Sequence, residues 1–283
     1  MIEMIREKLR FYGATSAVEE ENAIKEIIQE IALYALWRGD FFDRALFQGS
    51  TSLRILHRLP RFSEDLDFIL RSPDQDFDWT PYLEILVDVF EHFGLKVEAQ
   101  PRGKMEQAVR EAVLKDNSIA SQLDLTFADT GRPRTIRIKL GIDTNPPAPS
   151  GEDTIFLDFP ADYEVRHQDL SSSFALKIHA LLCRQYLKGR DWYDFSWYVA
   201  NGVTPNLVHL QAGLRQIGPW QGRDDLEIEM EWLVDALRTR IAVIDWKAAG
   251  QDVSRFLRPA ELKSVGLWSE TFFRARLEKM AKR

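Results

Sequence analysis

The sequence predicts an α+β fold: a mixed sheet core with N-terminal helices before it and a C-terminal helical bundle after it. Three observations predict it. Residues 44–160 alternate strand-like runs with helical ones. Residues 17–38 carry apolar side chains at 24, 27, 28, 31 and 35, one face of an amphipathic helix. From Ser171 onward the pattern is helical, broken at Gly189, at 201–205 and at 217–222. The division expected is a core with its N-terminal helical element over 1–165 and a helical domain over 166–283.

Within the core, strands are expected at 44–48, 66–70, 95–99, 121–127, 134–142 and 154–159, and helices at 52–58, 81–93 and 104–115. Residues 145–151 hold three prolines and a glycine and read as a loop. Residues 174–188 lack Gly and Pro and read as one helix stopped by Gly189. A cleft between core and bundle is the expected place for a ligand.

Composition narrows the class. The 283 residues are 45% hydrophobic and 11% aromatic, enough for a packed core. No apolar run reaches the roughly 18 residues of a membrane span. The first residues lack the basic and apolar regions of a signal peptide, so a cytoplasmic protein without membrane partners is expected. The single Cys183 excludes an internal disulfide and a cysteine-based zinc site, and the five histidines show no metal-ligand spacing. A net charge of −7 argues against broad nucleic-acid binding. Residues 251–283 nevertheless hold eight Lys and Arg against four acids. That tail reads either as an RNA-facing patch or as a solvated helix.

The chemistry concentrates in residues 49–68. Gly49 lets the backbone approach a phosphate, and Ser50 adds a donor at the start of a helix, where anions are favoured. Arg54 and Arg61 are placed to neutralise phosphate charge, and His57 reads as a plain surface histidine. Asp65 and Asp67 alternate with Leu66 and Phe68, so on a strand both carboxylates share one face. Such a pair suits Mg²⁺ or Mn²⁺ bridging a nucleoside triphosphate during in-line displacement. A two-metal site asks for a third carboxylate. Asp143, ending an alternating strand, is the first candidate, and Asp124, on a second alternating run, is its rival. Ser63 reads as a turn residue whose phosphorylation would disturb the site. Further on, Lys177, Arg184 and Lys188 fall on one helical stripe leading into Arg190-Asp191. Lys177 is the candidate phosphate contact, and Asp191 its orienting partner ahead of Asp194. Trp192, Tyr193, Trp197 and Tyr198 read as core. Arg190-Asp191 echoes a kinase catalytic loop, but no Asp-Phe-Gly follows it.

Gly49-Ser50 followed by Arg61-Phe62-Ser63-Glu64-Asp65-Leu66-Asp67-Phe68 resembles the first motif of the AbiEii/AbiGii toxin family, which includes the MenT-type toxins. The strand from Lys139 to Asp143 is similar to the second motif, Lys177 to the third, and Lys188-Gly189-Arg190-Asp191-Trp192-Tyr193-Asp194 to the fourth. Gln48 stands where the family often has another glycine. The resemblance implies a DNA-polymerase-β-like nucleotidyltransferase, the toxin of a toxin–antitoxin or phage-defence system with a cognate antitoxin. It implies an NTP substrate, a divalent metal (Mg²⁺ or Mn²⁺) and an RNA acceptor, in characterised members the acceptor end of tRNA. On that basis Asp65, Asp67 and Asp143 are expected as metal ligands, Gly49, Ser50, Arg61 and Lys177 as the triphosphate grip, and Asp191 as a further catalytic residue. Nucleotidylation of a partner protein, and nucleotide binding without turnover, stay open beside it.

Overall fold

The computed structural model describes residues 1–102, 109–116, 123 and 136–282. The chain divides into two compact units. One comprises Met1–Arg58, Phe62–Pro146 and Asp153–His167, and the other Leu59–Arg61, Pro147–Glu152 and Gln168–Arg283. Two short segments thus belong to the second unit, which a single cut after residue 165 does not describe.

In the first unit, helices α1 (Ile2–Tyr12) and α2 (Ala17–Arg38) precede the sheet. Ser16 caps α2 by accepting the Glu19 N–H. Most of the α2 surface is buried: Ile24, Ile27, Ile28, Ile31, Leu33 and Leu36 are joined there by the polar Glu26, Gln29 and Glu30. Strand β1 (Ala45–Gln48) leads directly into α3 (Gly49–His57), and β2 (Leu66–Leu70) returns antiparallel to β1. After α4 (Thr80–His92) come β3 (Val97–Arg102), β4 (Val109–Asp116), β5 (Ile136–Asp143), β6 (Glu152–Leu157) and β7 (Tyr163–Gln168). The seven strands stand in the order β3-β4-β5-β2-β1-β7-β6. Strands β2 and β5 are parallel, as are β1 and β7, while β3-β4 and β4-β5 are antiparallel. Phe41, Phe68, Phe77, Trp79 and Tyr82 form an aromatic cluster, with Phe41 and Trp79 stacked at 5.5 Å.

Two expectations change here, and a third falls outside the described residues. Residues 109–115, read as the end of a helix, are strand β4. Their run of helix formers is overridden because Ala112 and Leu114 meet Leu140 and Ile138 across the sheet. Strand β7 was not anticipated; its Tyr163 and Val165 are buried core positions. The strand expected over 121–127 lies outside the described residues, apart from Leu123.

The second unit contains α5 (Leu170–Cys183), α6 (Gly189–Ala200), α7 (Leu207–Gln216), α8 (Met230–Ala242), α9 (Trp246–Ser254), α10 (Pro259–Val265) and α11 (Glu270–Ala281). Asp169, Asn206, Asp245 and Ser269 cap α5, α7, α9 and α11 by accepting a backbone N–H three residues on. Phe174 stacks on Tyr198 at 4.5 Å, and Trp246 on Phe273 at 4.1 Å. The helix expected over 174–188 is a correction. It ends at Cys183, and Gly189 opens the next helix instead of stopping this one. The reason is tertiary: a Cβ on Gly189 would sit 1.9 Å from the Ala249 carbonyl oxygen, so α6 meets α9 backbone to backbone.

Candidate active site

Asp67 is framed by glycines. Gly49, the first residue of α3, follows β1 directly with φ +79°, in the left-handed region glycine tolerates. Across β1–β2 Asp67 faces Gln48, and across β2–β5 it faces Gly141. A Cβ on Gly49 would lie 3.0 Å from Asp67 Oδ2, and one on Gly141 3.3 Å from Asp67 Oδ1. Gly49 and Gly141, which come this close to the carboxylate, bring no side chain against it, and the N-terminus of α3 with Ser50 stands beside it. Leu66 and Phe68 are buried while Asp67 is exposed, as the alternation required.

Asp65, half-buried, precedes β2. The segment leading to it is held from two helices. Gln29 of α2, fully buried, donates to the Ser63 carbonyl at 3.1 Å and the Glu64 carbonyl at 2.9 Å. Thr51 of α3 meets the Ser63 hydroxyl at 2.9 Å and donates to the Asp65 carbonyl. Ser63 is thus a turn anchor. Asp65 and Asp67 both act electrostatically on Lys139.

Asp143 does not join them. It faces Ile69, two residues beyond the Gly141 that faces Asp67. At about 3.3 Å per strand residue, this sets it ~7 Å along the sheet from Asp67 and ~13 Å from Asp65. Its row neighbours Ile69 and Leu46 are buried and apolar. Asp143 Oδ1 instead accepts the Asn145 N–H at 2.9 Å, closing the turn after β5. Burial raises its carboxyl pKa, against that hydrogen bond. Among the described residues no three His, Cys, Asp or Glu stand together as a metal cluster. Convergence of Asp65, Asp67 and Asp143 is thus corrected by the strand register. Asp124 lies outside the described residues.

The residue level with Asp65 on β5 is Lys139, since Leu66 faces Leu140. Sequence reading had placed it in the strand but not in the site. Glu111 of β4 faces Gly141 and meets Lys139 Nζ at 2.5 Å. Burial works against the Lys139 charge, but Glu111, Asp65 and Asp67 outweigh it and raise its pKa. Glu111 was missed because its segment read as helix, and Val109 to Asp116 carries no clean alternation of apolar and polar residues that would have marked a strand. Asp65 and Asp67 suit a magnesium-type ion, which takes one or two carboxylates and completes its shell with substrate phosphates and water.

Several expected phosphate contacts are engaged otherwise. Arg54 bonds Glu26 at 2.8 Å and lies over the Phe62 ring. His57 is half-buried, edge-on to His167 at 5.2 Å, and burial together with that neighbour pushes its pKa down to about 4; it is not a plain surface histidine. Arg61, expected at the triphosphate, is fully buried in the second unit and grips Asp194 through two bonds of 2.7 Å. Its guanidinium is committed to that carboxylate.

In the second unit Lys177 of α5 reaches Asp191 at 2.8 Å and Asp194 at 2.9 Å, one turn apart on α6. Arg184 also binds Asp191. Burial opposes the Lys177 charge, yet Asp191 and Asp194 hold its pKa above the usual lysine range. Against its own burial, Asp191 is held below the usual carboxylate range by Lys177, Arg184 and Lys188. Asp191 and Asp194 therefore share Lys177, and Asp194 caps no helix. Trp192 and Tyr198 are buried core residues.

A mixed sheet with a glycine-serine turn feeding a helix beside paired carboxylates is the arrangement of the nucleotidyltransferases, and this chain is one. The family described as nucleotidyl transferase AbiEii toxin, type IV toxin–antitoxin system, matches residues 31–275. The chain belongs to that family, in which a nucleotidyltransferase toxin is paired with an antitoxin. Two solved structures are similar in fold. One, from H. pylori, was assigned provisionally as a nucleotidyltransferase; it shares 15% identity over 90% of each chain, with a TM-score of 0.48. The other is JHP933 from Helicobacter pylori, at 16% identity over 93% of this chain and 91% of that one, also with a TM-score of 0.48. No curated protein matches the chain by sequence. Among the described residues no helix is long and apolar enough to cross a membrane.

Proposed function

We propose that the chain moves a nucleotidyl group from an NTP to an RNA acceptor in the cytoplasm, tRNA 3′ ends being the first acceptor to test. The carrying observation is the Asp67 carboxylate set between Gly49 and Gly141, where neither glycine has a side chain to obstruct a phosphate. Gly49 and Ser50, opening α3, offer backbone N–H groups and a hydroxyl to the triphosphate. Asp65 and Asp67 would hold Mg²⁺ or Mn²⁺, whose chemistry is to neutralise charge on the phosphates. The acceptor hydroxyl attacks the α-phosphorus, pyrophosphate leaves, and a carboxylate oxygen of this face takes the hydroxyl proton. Catalysis is then mainly positioning and charge neutralisation. The basic segment 251–283 supports an RNA acceptor.

The experiment is transfer of label from α-³²P-NTP to total RNA and total protein. Label should run with RNA, and Asp67→Asn should abolish it while circular dichroism stays unchanged. Full transfer by that variant removes the assignment; label on protein moves the acceptor to a partner protein.

A further inference from the structure

We propose that this carboxylate face takes one divalent ion and not two, because the Lys139 ammonium, gripped by Glu111, is its second cation. The inference rests on the metal-dependent reading above and specifies its ion count.

Strand register carries the argument. A third oxygen ligand for a pair of ions would come from the strand beside β2, level with Asp65 or Asp67. Those two positions are Lys139 and Gly141, a cation and a residue without a side chain. Asp143, the next residue of that strand on the same face, is two steps further along and bonded to its own turn. Among the described residues the acid nearest in row is Glu111, one strand beyond Gly141, and it meets Lys139 at 2.5 Å.

Lys139 offsets one of the three negative charges that Asp65, Asp67 and Glu111 bring, so the protein side of this face is left at −2 before a triphosphate binds. Paired ions in two-metal sites stand roughly 3.5–4 Å apart and share a carboxylate. Here the second would have to stand beside a fixed ammonium, and like charges at that range repel strongly. Lys139 is half-exposed, at 46%, so its charge is not locked in the core.

The test is Mn²⁺ titration of the full chain, followed by electron paramagnetic resonance, with a non-hydrolysable NTP analogue present. The wild type and Lys139→Arg are expected to bind one Mn²⁺. Lys139→Met is expected to admit a second ion, or to bind the one about tenfold more tightly. Two ions in the wild type, or a Lys139→Met titration identical to wild type, overturns the inference while metal dependence stands. No Mn²⁺ bound to the wild type, with Asp67→Asn unchanged, removes the metal-dependent reading itself. Circular dichroism confirms that each variant is folded.

Discussion

Asp194 shows how one carboxylate can settle the fate of two cations. It takes both arms of Arg61 and shares Lys177 with Asp191, all out of water. Removing one partner from such a buried set strands the others, at a cost of about 3–5 kcal/mol. Asp194→Asn should therefore lower unfolding free energy by about that amount, read by urea denaturation. Arg61→Lys should be destabilising too, because an ammonium cannot make the two-armed contact. Asp191, held low in the fold, adds stability above the unfolded carboxylate pKa and loses it as pH falls through the folded value. His57 acts in the same acid direction. Its folded pKa of about 4 lies below the ordinary 6.5, so stability is lost as pH falls from 6.5 toward 4.

Helices are placed by single close contacts as much as by their apolar faces. The meeting of α6 and α9 at Gly189 leaves no room for a methyl group. Gly189→Ala should cost about 1–3 kcal/mol and lower Tm by several degrees, although alanine is the better helix former. Between α1 and α2, Lys8 bonds Glu30 at 2.9 Å, and Tyr12 bonds Glu26 at 3.0 Å and Glu30 at 3.3 Å. Burial, against the pull of Lys8, pushes Glu30 up to about 7. The folded pKa lies above the unfolded one, so this group's contribution is full below pH 4.5 and declines as pH rises to about 7. Glu30→Gln should flatten that slope, seen by comparing Tm at pH 5 and pH 8.

At the scale of the molecule, family membership makes the chain a toxin, and its consequence belongs to the cell. Induction in bacteria should arrest growth, and sequencing of tRNA 3′ ends should show added nucleotides. Asp67→Asn should grow normally with unmodified ends. Toxicity with intact tRNA ends would redirect the search to another acceptor. Gly49→Ala is a finer probe: the added methyl meets Asp67 at 3.0 Å on a left-handed backbone, so transfer should fall with little change in expression.

The sequence by itself determined the class of fold, the helix of residues 17–38, and the strands carrying Gln48 and Asp67. These follow from short-range periodicity, glycine's freedom at a turn and the alternation of a strand, all written within about twenty residues. It could not determine which strand stands beside which, or in what register, because those depend on contacts between residues far apart in the chain. Only the tertiary structure set Asp143 two steps away from Asp67, turned residues 109–115 into a strand, and brought Glu111 and Lys139 to the carboxylates. Only it buried Arg61 against Asp194, a partner 133 residues away. An arginine's neighbour is chosen by packing and desolvation, and no local pattern encodes that choice.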